Sequence, residues 1–127
     1  MSDRAASTLI KPDVALFHAP MADRAGNVWI GRQRDLATMA HASAKTVVTV
    51  EEIFDGDLLA DATLAAGTLP GFYVEAVALA PRGAWPLPLP DRYPLDALHM
   101  AEYARLSATV EGFNKYLDAY VYERRAA

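Results

Sequence analysis

Between residues 13 and 56 the chain alternates short apolar runs with polar turns, and the spacing names the elements. Val14, Leu16 and His18 alternate with Ala15 and Phe17 in a short apolar run bounded by polar residues, which reads as a buried strand. Asp23 to Asn27 supplies turn chemistry, because Gly26 takes positive φ without steric cost and Asn27 is next best at it. Val28, Trp29 and Ile30 resume an extended run. Leu36, Met39, Ala40 and Ala44 recur at helical spacing and so share one helical face. Residues 45–50, KTVVTV, crowd β-branched side chains that disfavour helix and suit a buried pleated surface. That third run ends in Glu51 and Glu52. The predicted order is strand, turn, strand, helix, strand, with the second strand free to pair antiparallel with the first, because only about nine residues separate them, too few for a helical crossover.

Beyond this stretch, residues 53–64 mix acids with Leu58, Leu59, Ala62 and Leu64, which predicts a short helix capped by Asp55 or Asp57 and ended by Gly67. Pro70 and Gly71 form a turn dipeptide. Residues 73–80, YVEAVALA, read as a fourth strand with Val74, Ala76 and Ala78 on one side and Tyr73, Glu75, Val77 and Leu79 on the other. Glu75 is then either a solvated edge residue or a buried, paired carboxylate; unpaired burial would be costly. Residues 81–94 hold five of the eight prolines, which predicts an extended, polyproline-like strap. Helix is expected over 95–106, with Pro94 and Asp96 suiting its first turn. A second helix is expected from a Ser107 cap, with Val110, Phe113, Leu117, Tyr120 and Val121 on one stripe, Glu111 and Lys115 paired on its solvated side, and Gly112 a weak point.

Length sharpens this into a class. The 127 residues fit one domain with one core, preceded by a loose arm at residues 1–11 and closed by a helical part at 95–124. Strands separated by helices or loops give an α/β class, an open, mainly parallel sheet with flanking helices and two C-terminal helices. A net charge of −4 with scattered Lys and Arg leaves no electrostatic footprint for nucleic acid or an anionic membrane. No window reaches the ~20 apolar residues of a membrane span, and the N-terminus has no signal-peptide core, so a cytoplasmic location is expected. With no cysteine there is no disulfide, thiolate nucleophile or thiolate metal site.

Candidate chemistry is sparse. Asp23, Gly26 and Asn27 form either a well-made turn or a ligand loop, since α/β proteins hold ligands at the carboxyl ends of strands. His18, at a strand end, is a rim or core histidine or a member of the same site. His18, His41 and His99 lack helical zinc spacing, and no P-loop, GxGxxG or GxSxG pattern occurs. Adjacent Glu51 and Glu52 point to opposite faces of a strand and cannot work as a paired acid and base. The last third is dense in aromatics, and Trp85, Tyr93 and Tyr103 are candidates for a subunit interface.

Three segments taken in order, HAPMADRAGNV, KTVVTVEEI and LPGFYVEAVALAPRGAWP, carry a likeness that no one of them carries singly. Together they resemble the later half of the alpha, or A, subunit of family I coenzyme A (CoA) transferases. PRGAWP followed by Tyr93, Asp96, His99 and Tyr103 puts the resemblance nearest the glutaconate branch, and it spans residues 12–122.

The resemblance implies half of the full alpha-subunit fold, and a reaction that moves CoA between an acyl thioester and a carboxylic acid. In that family a beta-subunit glutamate attacks the thioester and passes through an anhydride to a glutamyl-CoA thioester. Neither Glu51 nor Glu52 is that nucleophile by the resemblance, and no catalytic residue is expected here. The Asp23 to Asn27 loop lies toward the family's active-site side. The family's glycine-rich, GGFG-like loop does not occur in this sequence, so the chain alone is expected to be inactive. Implied partners are the N-terminal alpha half and a CoA-transferase beta subunit. The substrate of the complex is acyl-CoA, and no cofactor is expected. Other readings are a subunit of a ring-opening acyl-CoA hydrolase, a non-catalytic assembly or binding module, and a truncated product with an exposed sheet edge.

Overall fold

In the computed structural model, which describes residues 10–122, the apolar run from Val14 does not stop at His18. It continues through Pro20 as β1 (Val14–Asp23). A tight turn follows, closed by Asp23 N–H donating to the Asn27 carbonyl at 2.9 Å, with Gly26 at φ 88°. The turn is too short to cross the sheet, so β2 (Val28–Trp29) returns antiparallel, Met21 facing Trp29. Next comes α1 (Arg34–Ala42), whose length permits a crossover, and β3 (Lys45–Phe54) accordingly lies parallel to β1 from Val14 opposite Lys45 to Asp23 opposite Phe54.

Two further strands complete the sheet. β4 (Thr68–Leu69) pairs antiparallel with β2, and β5 (Ala76–Leu79) pairs parallel with β3. The order is β4-β2-β1-β3-β5, so the sheet is mixed: parallel across β1, β3 and β5, antiparallel across β1, β2 and β4. Side chains alternate across each strand. Ala19, Val48 and Val50 are fully buried on one face, where Ala40, Leu36 and Ala37 of α1 pack with Tyr73, Val74 and Val77. On the other face Val14 and Leu16 are 53% and 67% exposed.

Several local expectations are corrected. Residues 53–64 are not a helix: β3 runs on to Phe54, and Asp57 and Asp61 then fold the chain into successive turns by accepting from Leu59 N–H (2.9 Å) and Thr63 N–H (2.8 Å). Asp side chains compete for local amides in this way, which favours turns over helix. The fourth predicted strand is shorter than 73–80, because Gly71–Tyr73 forms a 3₁₀ turn whose amides at Tyr73 and Val74 are used internally. Glu75 takes the solvated alternative. Ala44 lies beyond α1 and is exposed, so the packed stripe is Leu36, Ala37 and Ala40.

The chain divides into two compact units between Gly83 and Ala84. In the second, the proline-rich segment is a succession of turns rather than an extended strap, with Leu89 and Tyr93 joined by reciprocal backbone hydrogen bonds of 3.0 and 3.1 Å. Asp96 caps α2 (Ala97–Leu106) by accepting from His99 N–H at 3.0 Å. The next helix, α3 (Val110–Tyr116), starts from Thr109 rather than Ser107, with the Thr109 hydroxyl accepting from Gly112 N–H. It widens into a π turn over Leu117–Tyr122. Val110 is 79% exposed and Val121 44%, so neither belongs to a packed stripe; Tyr116 does.

Candidate functional site

The loop that follows β1 is built around one buried carboxylate. Asp23 Oδ1 accepts from Ala25 N–H and Asn27 N–H, both at 3.0 Å, while Oδ2 accepts from Asn27 Nδ2 and Leu58 N–H, both at 2.9 Å. Asn27 Oδ1 in turn accepts from Gly71 N–H at 2.7 Å. Burial by itself would raise the Asp23 pKa. The hydrogen bonds from the Asn27 side chain and from the Leu58, Asn27 and Ala25 amides outweigh it and hold the carboxyl below its ordinary value of 3.8. Three segments far apart in sequence are thus stitched together, and Gly71 passes so close that a Cβ there would lie 2.7 Å from the Ala25 carbonyl oxygen. A carboxylate with four donors has no lone pair left for a ligand. A groove of about 480 Å³ runs beside this turn, bordered by Arg24, Gly26, Ile53, Val74 and Glu75.

His18 belongs to a second cluster. Its Nε2 lies 2.6 Å from Glu51 Oε2 and its Nδ1 2.7 Å from Thr49 Oγ1. The same Glu51 accepts from Arg82 N–H through Oε1 (2.9 Å) and from Gly83 N–H through Oε2 (3.2 Å). Both His18 and Glu51 side chains are 12% exposed. The chain of hydroxyl, imidazole and carboxylate has the order of a nucleophile relay, yet catalysis of that kind also needs donors aimed at a developing oxyanion. Here the two amides that could serve are occupied by Glu51 itself. The arrangement is a clamp that pins the 81–83 turn to the end of β3. Gly83 is required by it, since a Cβ there would sit 2.5 Å from His18 Cε1.

Sequence reasoning singled out His18 and Glu51 separately and missed their union with Thr49, Arg82 and Gly83. The β1–β3 register puts His18 opposite Thr49, and no local spacing encodes that register. His18 is not brought to the Asp23, Gly26 and Asn27 group by any hydrogen bond described above. Among the described residues no group of three or more His, Asp or Glu could hold a metal ion, and no helix is long and apolar enough to cross a membrane.

In the second unit Trp85 Nε1 donates to Asp96 Oδ2 at 3.0 Å, and its ring lies 4.2 Å from that of His99. His99 Nε2 lies 2.7 Å from the Tyr116 hydroxyl, and Tyr103 meets Tyr116 edge to face at 4.9 Å. Tyr93 accepts from Ala84 N–H through its hydroxyl at 3.0 Å. The Tyr120 hydroxyl donates to Glu102, and this bond, with burial and the neighbouring charge, raises the Tyr120 pKa. Leu87, Leu95 and Leu98 are the strongly exposed apolar side chains of the strap and α2, Leu98 at 87%.

No protein-family model matches the chain. Individual proteins do. It is 36% identical over 114 residues to the A subunit of glutaconate CoA-transferase from Acidaminococcus fermentans, and 34% identical over 121 residues to the A subunit of 3-oxoadipate CoA-transferase from Pseudomonas knackmussii. The solved glutaconate CoA-transferase of A. fermentans superposes with a TM-score of 0.78 at 33% identity, over 89% of this chain. This chain is homologous to the carboxyl-terminal half of the alpha subunits of family I CoA-transferases. The mixed sheet and the paired C-terminal helices match the corresponding part of that fold. The homologous region covers 87% of this chain but 35% of the glutaconate enzyme's subunit, and 92% against 41% for its 3-oxoadipate counterpart. The alpha-subunit homologue also superposes on the decarboxylase AibA/AibB, with a TM-score of 0.73 at 36% identity over 87% of this chain and 39% of that one.

Proposed function

We propose that these residues form the carboxyl-terminal wall of the alpha subunit of a cytoplasmic CoA-transferase, which moves CoA between an acyl-CoA thioester and a carboxylic acid together with the N-terminal alpha half and a beta subunit. The observation that carries this reading is the 36% identity to the corresponding subunit of a glutaconate CoA-transferase, joined to the 0.78 superposition on that enzyme. The geometry supports it from the other side. A nucleophilic carboxylate must present an oxygen to the thioester carbon. Glu51 instead spends its oxygens on His18, Arg82 and Gly83, and Asp23 spends its own on four donors. The reactive glutamate accordingly comes from the beta subunit. The turn at Asp23, Gly26 and Asn27 shapes the wall beside the substrate through its backbone. Trp85, Tyr93 and Tyr103 stiffen the unit that meets a neighbouring subunit.

The likeness to AibA/AibB carries a second reading, in which the same wall serves a decarboxylase. One reconstitution separates the readings. The chain is purified alone and mixed with an N-terminal alpha half and a CoA-transferase beta subunit, then supplied with glutaconyl-CoA and acetate. Acetyl-CoA formation by the mixture, with none by the chain alone, is the expected result. Release of free CoA would favour a hydrolase and evolution of carbon dioxide a decarboxylase. A stable complex with none of these activities would leave an assembly module. Thioester exchange by the chain alone would overturn the proposal.

A further inference from the structure

Past the end of β3 the chain turns sharply, and the turn dictates which residue can follow Asp55. Gly56 sits at φ 144°, where a residue with a side chain is strained, and a Cβ there would lie 3.1 Å from the Phe54 ring. Glycine is therefore imposed on this position by the backbone. Asp55–Gly56 is the one place in the sequence where glycine follows an aspartate. The Asp55 side chain is fully exposed, and its contact with Arg24 Nη1 is long, at 3.4 Å, to a side chain itself 76% exposed. Among the described residues no hydrogen bond holds the Gly56 amide.

The next two aspartates are protected in two ways. Asp57 accepts from the Leu59 amide at 2.9 Å, and Asp61 from the Thr63 and Leu64 amides at 2.8 and 3.1 Å, so both carboxylates are held away from the peptide that directly follows them. Leu58 and Ala62 also carry a Cβ beside the amide that a carboxyl would have to reach. The segment 55–57 is meanwhile tied to Asp23 at both ends. Phe54 lies opposite Asp23 in the β1–β3 register, and Leu58 N–H donates to Asp23 Oδ2 at 2.9 Å. Leu58 itself is fully buried.

We propose that Asp55–Gly56 is a site of spontaneous covalent modification, at which aspartate converts to isoaspartate and loosens the Asp23 stitch. The Gly56 nitrogen attacks Asp55 Cγ, a C–N bond forms, and the carboxyl hydroxyl leaves as water with the amide proton, closing a succinimide ring. Water then adds to either ring carbonyl. Breaking the bond from nitrogen to Cγ restores aspartate, whereas breaking the bond from nitrogen to the Asp55 main-chain carbonyl carbon leaves the chain running through Cβ and Cγ. No oxidant or reductant takes part, and the mass returns to its starting value. The isoaspartyl link adds one carbon to the backbone between Phe54 and Leu58, so with Phe54 fixed in the sheet the Leu58 amide is displaced from Asp23 Oδ2. The product also presents a free α-carboxylate, the group that an S-adenosylmethionine-dependent carboxyl methyltransferase would esterify.

The test ages the full 127-residue chain at neutral pH and physiological temperature beside Asp55→Glu, which keeps the charge but disfavours ring closure. Isoaspartate is measured by methyl transfer from labelled S-adenosylmethionine with an isoaspartyl methyltransferase, and located by electron-transfer fragmentation of tryptic peptides. Asp55 should gain it at least about tenfold faster than Asp57 or Asp61, because of the three only Asp55 is followed by a residue without a side chain. The isoaspartyl species, separated by chromatography, should exchange its Leu58 amide about tenfold faster than fresh chain, while the Val48 amide in the middle of β3 keeps its rate. Fresh Asp55→Glu should melt with the wild type, since the side chain is fully exposed, and should show neither change on ageing. Isoaspartate spread evenly over the three aspartates, or equal methyl uptake by the variant, would overturn the proposal. So would a Leu58 amide that keeps its protection after Asp55 has isomerised.

Discussion

Replacing Asp23 separates a structural stitch from a ligand site, and its magnitude can be worked from the geometry. The carboxylate is 3% exposed and accepts four hydrogen bonds. Bonds to a charged acceptor contribute about 1.5–3 kcal/mol each, which would set a ceiling of about 12 kcal/mol if all four were lost outright. The true cost is well below that ceiling. Ala25 lies in an exposed turn, so its amide recovers a bond from water, whereas the amides of Asn27 and Leu58 belong to buried residues and lose theirs. Asp23→Ala should therefore destabilise by about 3–4 kcal/mol, at the top of the usual range for one substitution. Asp23→Asn keeps the shape but turns an NH₂ toward a donor, at a cost of about 2 kcal/mol. Urea unfolding at a series of pH values is the assay. Because the folded-state pKa lies below the ordinary 3.8, the carboxylate's contribution is fully present above that value and is lost as pH falls through the folded pKa. The gap between wild type and Asp23→Asn should thus be constant near neutrality and shrink below about pH 4. A loss under about 1 kcal/mol for Asp23→Ala, or a gap that widens on acidification, would refute the reasoning.

Two further substitutions probe the clamp and the helical unit. Glu51→Gln leaves one carbonyl oxygen to satisfy donors on two sides, so the 81–83 turn opens more often and trypsin should cut after Arg82 roughly tenfold faster; unchanged cleavage would remove the clamp from the account. Gly112→Ala should lower thermal stability by about 1–2 kcal/mol, although alanine is the better helix former, because its Cβ would run into the Leu106 carbonyl oxygen. A rise in melting temperature would show that the turn between α2 and α3 relaxes.

How much was legible varies by element, for a consistent reason. The turn at Gly26, the antiparallel return of β2 and the helix after Asp96 all depend on residues within a few positions of one another. Propensity and spacing report such local causes well. The failures lie where local signals compete or where a partner decides. Asp57 and Asp61 sit among leucines and alanines that suit a helix, but their carboxylates take the nearby amides first. The prolines of residues 81–94 suggest extension, whereas Tyr93 and Asp96 fold that segment back through Ala84 N–H and the Trp85 indole. β4 is two residues long and exists only because β2 offers it an edge.

The candidate site divides along the same line. That Glu51 and Glu52 point apart follows from strand alternation, and the structure has Glu51 half-buried and Glu52 exposed. That Glu51 finds His18, and that both find the amides of residues 82 and 83, does not follow from any spacing in the chain. By itself the sequence determined which segments extend, which coil and where the chain must turn, since steric preference and hydrophobic period act over one or two turns of backbone. Only the tertiary structure decided the strand register and the stitching of Asp23 to Leu58 and Asn27 to Gly71. Those are contacts between residues tens of positions apart, chosen by how one buried face closes over the whole sheet.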